Sequence, residues 1–258
     1  MNQEERKKYI LERLKISSSV SVSELSEAFG LSEVSVRKLL SGMEQEGVLK
    51  RTWGGAVSAY GSLREFSHQE NENRQMEEKR AIAREAYGCI GDGEAGFLDS
   101  GTTTLELAKL IVAGEKRKIV PCTNNIFIAA ELAKAGDMRS IIIGGELRTN
   151  IYSCVGSLAQ QALSGLFFDK GFISGNHFTL ERGFSTPTLG EAQLKRQVLA
   201  ASKESFLLMD YTKYGDDSMV QIAPPDGIDV LITDWHMPEN VAQGFREKNV
   251  KVITAQKE

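Results

Sequence analysis

The sequence predicts an α/β protein in two parts: a small N-terminal module of three helices and a β-hairpin, then a larger domain on a mostly parallel sheet. Two patterns carry this. Residues 1–57 show helical apolar spacing three times and then two short apolar runs around Gly54-Gly55. From Met76 onward, short apolar runs alternate with helical stretches, and repeated β-α alternation with buried strands implies a parallel sheet covered by helices. A hydrophobic content of 41% and a charged content of 26% over 258 residues suit a folded globular chain rather than a disordered one.

In the N-terminal part, Tyr9, Ile10 and Leu14 sit at helical spacing within residues 3–16, and Ser17-Ser18-Ser19 breaks that helix. Ser21-x-x-Glu24 is a capping-box pattern, with Ser23 as a rival N-cap, and it opens a short helix to Phe29. Gly30 suits the position after that helix, where positive φ is cheap. Ser32 caps a longer helix to about Glu46, and Gly47 ends it. Val48–Arg51 and Ala56-Val57 then read as two short strands. Residues 58–75 are polar and aperiodic and read as a partly helical linker.

The larger domain, 76–258, reads as helix Glu77–Ile90, strand Ala95–Leu98, helix Thr102–Ile111, strand Lys118–Cys122, helix Asn125–Ala135 and strand Arg139–Ile143. Lys170–Ile173, Ser205–Met209, Val230–Ile232 and Lys251–Ile253 are further strands with helices between them. In such sheets ligands bind beyond the carboxyl ends of the strands.

The net charge of −4 is unevenly spread: residues 1–60 hold nine Lys/Arg and eight Asp/Glu, and residues 61–258 hold 22 and 27. A local basic face can bind DNA within a nearly neutral module. Runs such as Ile141–Ile143 are too short to span a membrane. The charged N-terminus, MNQEERKKYI, has no apolar secretory core. Cys89, Cys122 and Cys154 are scattered and odd in number, which predicts a reducing, cytoplasmic setting without disulfides. His68, His177 and His236 lack metal-ligand spacing, so no metal and no cofactor are expected.

On a helix at about 100° per residue, Val36, Leu39, Leu40 and Met43 share one face, which can pack on Leu25 and Phe29. Val34, Arg37, Lys38 and Ser41 point away. Arg can grip guanine and an apolar side chain can touch a thymine methyl, and the N-terminal half of a second helix is where a helix-turn-helix meets base edges. An isolated cationic pair is more often a solvated face; the turn at Gly30 and the basic hairpin, Lys50 and Arg51, favour DNA here. Ser32, Ser35 and Trp53 complete the expected DNA-facing set, and the partner is a double-stranded operator.

Asp99-Ser100-Gly101-Thr102-Thr103-Thr104 ends one strand and opens a helix. Free N–H groups and the positive helix end make such a turn an anion site, although a Ser/Thr cap alone is commonplace. Thr123-Asn124 and Gly144-Gly145-Glu146 end the next two strands, so all three motifs are expected on one rim. Asp210-x-x-Lys213 and Lys79 offer cations there. A phosphate on the Gly101–Thr104 turn, hydroxyls read by Asp99, Asn124 and Glu191, and counter-charges from Lys79 and Lys213 form the expected effector site.

The stretch Val22-Ser23-Glu24-Leu25, Leu31-Ser32, Val36-Arg37 and Gly47-x-Leu49-x-Arg51-x-x-Gly54-Gly55-Ala56 resembles the DeoR family of bacterial sugar-responsive regulators, and the downstream motifs match as well. The recognition helix departs from the family, with Arg37-Lys38-Leu39-Leu40 for the usual Arg-Arg-Asp-Leu, and Trp53 stands where His is frequent. The resemblance implies a winged helix-turn-helix followed by a ribose-5-phosphate-isomerase-like domain, a phosphorylated sugar as effector and repression of a sugar-catabolic operon; the affinity that two reading heads gain on paired half-sites predicts a homo-oligomer through the α/β domain. It places Glu191, in Gly190-Glu191-x-x-x-Lys195, where the isomerase keeps its glutamate, and Arg182 where the isomerase keeps a lysine. The isomerase's Asp-Gly-Ala-Asp is replaced by Ile173-Ser174-Gly175-Asn176, so binding without turnover is expected. A sugar-phosphate isomerase with an accessory DNA-binding domain is the competing reading, which the missing aspartates oppose. An architectural DNA-binding protein is a third, which the polar rim opposes.

Overall fold

Three helices and a three-stranded antiparallel sheet form the first of two units, Met1–Arg64. The computed structural model describes residues 1–257 except 17–18, 53, 59–64 and 117. Trp53, Ser17-Ser18 and residues 59–64 of the expected linker therefore lie outside the described residues. Helix α1 spans Gln3–Ile16 and strand β1 Ser19–Ser21, which the sequence reading did not anticipate. Helix α2 spans Val22–Phe29, and Ser21 is its cap: its hydroxyl accepts from the Glu24 N–H while Glu24 accepts from the Ser21 N–H. Gly30 ends α2 at φ 61°. Helix α3, Glu33–Gln45, starts from the Ser32 cap. Strands β2, Leu49–Thr52, and β3, Gly55–Ser58, form the wing, and β3 lies between β1 and β2. Ile10, Leu14, Leu25, Val36, Leu40 and Met43 meet in one apolar core, as the helical spacing requires.

The second unit is Glu65–Glu258. The stretch expected to link the two parts differs in its second half. Helix α4, His68–Glu72, is closed by a capping box at Ser67, and Gln75 turns the chain at φ 49° into α5, Met76–Gly88. Phe66 is buried, so this segment belongs to the second unit's structure.

Strand β4, Ala95–Leu98, leads to α6, Thr102–Ala113. Strand β5, Val120–Thr123, leads to α7, Ile126–Leu132, and β6, Ile141–Ile142, follows. A hairpin of β7, Glu146–Arg148, and β8, Ser153–Val155, precedes α8, Gly156–Leu163. Strand β9, Phe168–Ile173, is followed by β10, His177–Thr179, β11, Gly183–Thr186, and α9, Leu189–Ala201. Strand β12, Ser202–Leu208, a short turn at Tyr211–Lys213, β13, Val220–Ala223, β14, Val230–Thr233, α10, Glu239–Arg246, and β15, Lys251–Thr254, complete the unit.

Seven strands form one parallel sheet in the order β15-β14-β12-β9-β4-β5-β6. Consecutive residues alternate faces: Phe97, Ile173, Leu207 and Leu231 enter one core, and Leu98, Phe172, Phe206 and Ile232 enter the other. The chain runs outward from β4 through β5 to β6, returns to β9 beside β4, then runs outward the other way. This reversal places a topological switch point between the carboxyl ends of β4 and β9. The β7–β8 hairpin and the antiparallel sheet β10-β11-β13 are additions that the alternation pattern did not contain.

Candidate functional site

The first unit presents the outer face of α3. Val34 is 75% exposed, and Ser32, Ser35, Arg37 and Lys38 are also exposed, while Val36, Leu40 and Met43 are buried. The face is less free than helical geometry implied. Arg37 pairs with Glu33 one turn back at 2.8 Å. Ser41 is half-buried: its hydroxyl donates to the Arg37 carbonyl at 2.9 Å and accepts from Arg51 Nη1 at 2.9 Å. The Arg51 backbone N–H donates to Glu44 at 2.7 Å. Arg51 thus fastens the wing to α3, and Lys50 is exposed beside it. Gly55 is needed at the strand crossing, because a Cβ there would stand 1.9 Å from the Val20 carbonyl oxygen.

In the second unit a pocket opens at the switch point. Ser100, Gly101, Thr102 and Thr103 line it from the end of β4 and the start of α6, and Ser174, Gly175 and Asn176 from the end of β9. Helix α6 begins at Gly101 with no side-chain cap, so its first N–H groups face the pocket without the partner that a capping hydroxyl would supply. Gly101 has no room for a side chain: a Cβ would lie 2.7 Å from Ser174 Oγ. Arg74, Lys79, Asp210 and Lys213 also line the pocket. Burial lowers the Lys79 pKa to about 8; Asp210 opposes the shift, and Lys213 and Arg74 add to it. Burial likewise lowers Lys213, with Asp210 opposing and Arg74 adding. Three cations around one aspartate, beside an open helix N-terminus, form a corner suited to a multiply charged anion.

Elsewhere around the pocket the carboxylates are committed. Asp99 is buried, accepts from the Ser174 N–H and Oγ, each at 2.8 Å, and pairs with Lys195. Glu191 is buried, accepts from Thr186 Oγ1 at 2.9 Å and forms an ion pair with Arg148 Nη1 at 2.9 Å. Burial pushes the Glu191 pKa up, against Lys195 and Arg148. Burial also pushes Glu65 upward, but hydrogen bonds from Arg148 and Asn150 outweigh it and hold Glu65 below the usual range. Among the described residues, no group of three or more His, Cys, Asp or Glu could hold a metal ion, and no helix is long and apolar enough to cross a membrane.

The profile described as the DeoR-like helix-turn-helix domain matches residues 6–60, and the DeoR C terminal sensor domain matches residues 74–235. The chain belongs to the DeoR family of transcriptional regulators. The HTH-type transcriptional regulator GlpR of Haloferax volcanii is 32% identical over 96% of this chain and 96% of its own. The lactose phosphotransferase system repressor of Staphylococcus aureus is 32% identical over 93% of this chain and 96% of its own. Ribose 5-phosphate isomerase A from Neisseria gonorrhoeae matches at 15% identity and a TM-score of 0.39, covering 54% of this chain and 53% of that one. The protein is a DNA-binding regulator with an effector-sensing domain.

Within this DeoR sensor domain the expected effector residues divide. Lys79, Ser100, Gly101, Thr102, Thr103, Glu191 and Lys213 line one pocket. The other expected residues do not line it. Thr104 is buried, and its hydroxyl donates to the carbonyls of Asp99 and Gly101. Asp99 is held by Lys195 and Ser174, so it braces the pocket from behind. Thr123 Oγ1 accepts from the Asn125 N–H at 3.1 Å, and Asn124 Nδ2 donates to the Cys154 carbonyl at 3.0 Å. Gly144, Gly145 and Glu146 are exposed and follow β6, the sheet edge. That edge is two strands from β4, or about 10 Å at the usual strand spacing. Arg182 is exposed in the turn between β10 and β11 and pairs with Asp217 at 3.6 Å.

Several pocket residues escaped the sequence reading. Arg74, Asn71 and Glu65 lay in the presumed linker. Lys195 was visible four residues after Glu191, a spacing that puts both on one helix face, but nothing local tied it to Asp99, 96 residues earlier in the chain.

Proposed function

We propose that this regulator represses a carbohydrate-utilisation operon and that a phosphorylated sugar in the switch-point pocket controls its operator affinity. The observation that carries this reading is the anion corner, where Lys79, Lys213 and Arg74 face the uncapped start of α6. A phosphate there gains backbone N–H donors and cations together. Of the expected hydroxyl readers, Glu191 lines the pocket, and Asn176 joins it. The names of the Haloferax and Staphylococcus relatives, a regulator and a sugar-system repressor, agree with this assignment. On the DNA side, Val34, Arg37 and Lys38 read base edges and Lys50 takes phosphate. The protein acts in the cytoplasm as a homo-oligomer. It binds its ligand without turnover: Ile173 is an apolar core residue, and the Asn176 carboxamide accepts from Thr186 at 3.0 Å and carries no ionisable proton.

A ligand controls the operator only if it binds the DNA-competent and DNA-incompetent states unequally. Thermal unfolding against a panel of aldose and ketose phosphates tests the reading. A bound member at a hundred times its Kd adds about 2.7 kcal/mol of stability. Lys213→Ala is expected to lose most of that shift while ligand-free binding to the promoter DNA stays near wild type. A panel with no stabilising member, or an undiminished shift in Lys213→Ala, rejects it.

A further inference from the structure

Residues 65–68 form a strap along one side of the pocket, and the turn after β7 holds it. Arg148, the last residue of β7, donates Nη1 to Glu65 Oε1 at 2.9 Å and Nη2 to Glu65 Oε2 at 2.5 Å. Asn150 Nδ2 also donates to Glu65, at 3.0 Å, and the Asn150 carbonyl accepts the His68 N–H at 2.9 Å. The same Arg148 Nη1 reaches Glu191 Oε2 at 2.9 Å. Glu65 and Glu191 both line the pocket. Glu65 is also the residue at which the second unit begins, directly after the last residue of the DNA-reading unit.

One guanidinium therefore serves two carboxylates of unequal role: one faces the ligand, the other starts the strap. We propose that Arg148 is the residue that couples pocket occupancy to the strap. A ligand hydroxyl donating to Glu191 draws that carboxylate off Arg148, which then closes on Glu65 alone and tightens the strap. This rests on the reading of the pocket as a sugar-phosphate site. Glu191 Oε2 already accepts from Thr186, so a further donor leaves less of its charge for Arg148. The planar fork of arginine pairs best with a single carboxylate, and it is already bidentate on Glu65, so the shift needs only a small movement. Lysine at this position would keep the charge and lose the fork. The strap begins at Glu65, so a change in how Glu65 is held is a change in the strap itself. Such an element with two arrangements is what a coupling free energy requires.

Residue-resolved amide hydrogen exchange on the full-length protein tests this. The reporters are the His68 amide, bonded to Asn150, and the Thr102 and Thr103 amides at the anion corner. The probes are the tightest-binding sugar phosphate of the panel and inorganic phosphate, which brings no hydroxyl chain. In wild type the sugar phosphate is expected to slow His68 exchange at least about fivefold, and inorganic phosphate to protect only the anion corner. Arg148→Lys and Arg148→Gln are expected to keep corner protection and lose the His68 response; the lysine variant carries the test if the glutamine variant does not fold. A His68 response that persists in a folded variant overturns the proposal. So does corner protection in wild type without any His68 response. If no sugar phosphate protects the corner in wild type, the pocket reading fails, and the coupling proposal with it.

Discussion

Lys79 places an ammonium where burial and two neighbouring cations oppose its charge, and its pKa falls to about 8. The unfolded value is 10.5, so between about pH 8 and 10.5 the unfolded chain holds the extra proton. Stability attributable to Lys79 therefore rises with pH across that window; below it, the charged form penalises the fold in full. A phosphate reverses the preference, because it needs the charged lysine. A phosphomonoester is already fully ionised there, with its second pKa near about 6, so the slope comes from Lys79 and from Lys213, whose pKa burial also lowers. Sugar-phosphate affinity is expected to fall as pH rises through about 8, with proton uptake on binding just above that pH. Calorimetry in buffers of different ionisation heat measures this, and Lys79→Met should reduce the slope to the part that Lys213 contributes. Equal heats in all buffers, with affinity constant from neutral to alkaline pH, would remove Lys79 from the anion corner. At this scale the sequence was informative about residue type and less so about commitment. Asp99 and Asn124 are suited to reading hydroxyls, yet Lys195 pairs with Asp99, and Asn124 is buried with its Nδ2 donating to the Cys154 carbonyl.

At the scale of elements, local rules account for most of what forms. The capping box at Ser21, the turn at Gly30 and the cap at Ser32 set the ends of α2 and the start of α3, and each was legible because its partners lie within a few residues. The wing depends on a contact that is not local. Gly55 pairs with Ser21 across the sheet, and a Cβ would strike the Val20 carbonyl oxygen. Gly55→Ala is expected to cost the first unit about 1–3 kcal/mol, the usual range for overpacking, and to weaken promoter binding. Each unit has its own core, so unfolding of the second unit should be unchanged. Circular dichroism melts with parallel DNA titrations would check this; wild-type behaviour in both would mean that β1 does not need the close approach. The strands that escaped the sequence reading, β1, β7, β8, β10, β11 and β13, have only three or four residues each. Residues of Gly183–Thr186 are buried throughout, which erases the polar alternation that marks a half-exposed strand.

For the whole molecule, affinity is the argument for assembly. One reading head with a single α3 has little surface to offer DNA, and two heads on paired half-sites gain effective concentration. Light scattering on the full chain is expected to give at least about twice the 28.4 kDa of one chain. A single-chain mass at micromolar concentration, with and without promoter DNA, would oppose this. The sequence by itself determined the two-part organisation, all seven parallel strands in outline, the outward face of α3 and the Gly101–Thr104 turn. Each depends on periodicity or on a short motif whose partners are near in the chain. Only the tertiary structure decided which strand ends share a pocket. Sheet order puts β9 beside β4 and β6 at the far edge, so Ser174 and Asn176 line the pocket and Gly144-Gly145 does not. It also drew Glu65, Arg148 and Glu191 together from three separated stretches. Nothing in one residue's neighbourhood encodes that, because strand order is set by how long crossovers pack the whole sheet.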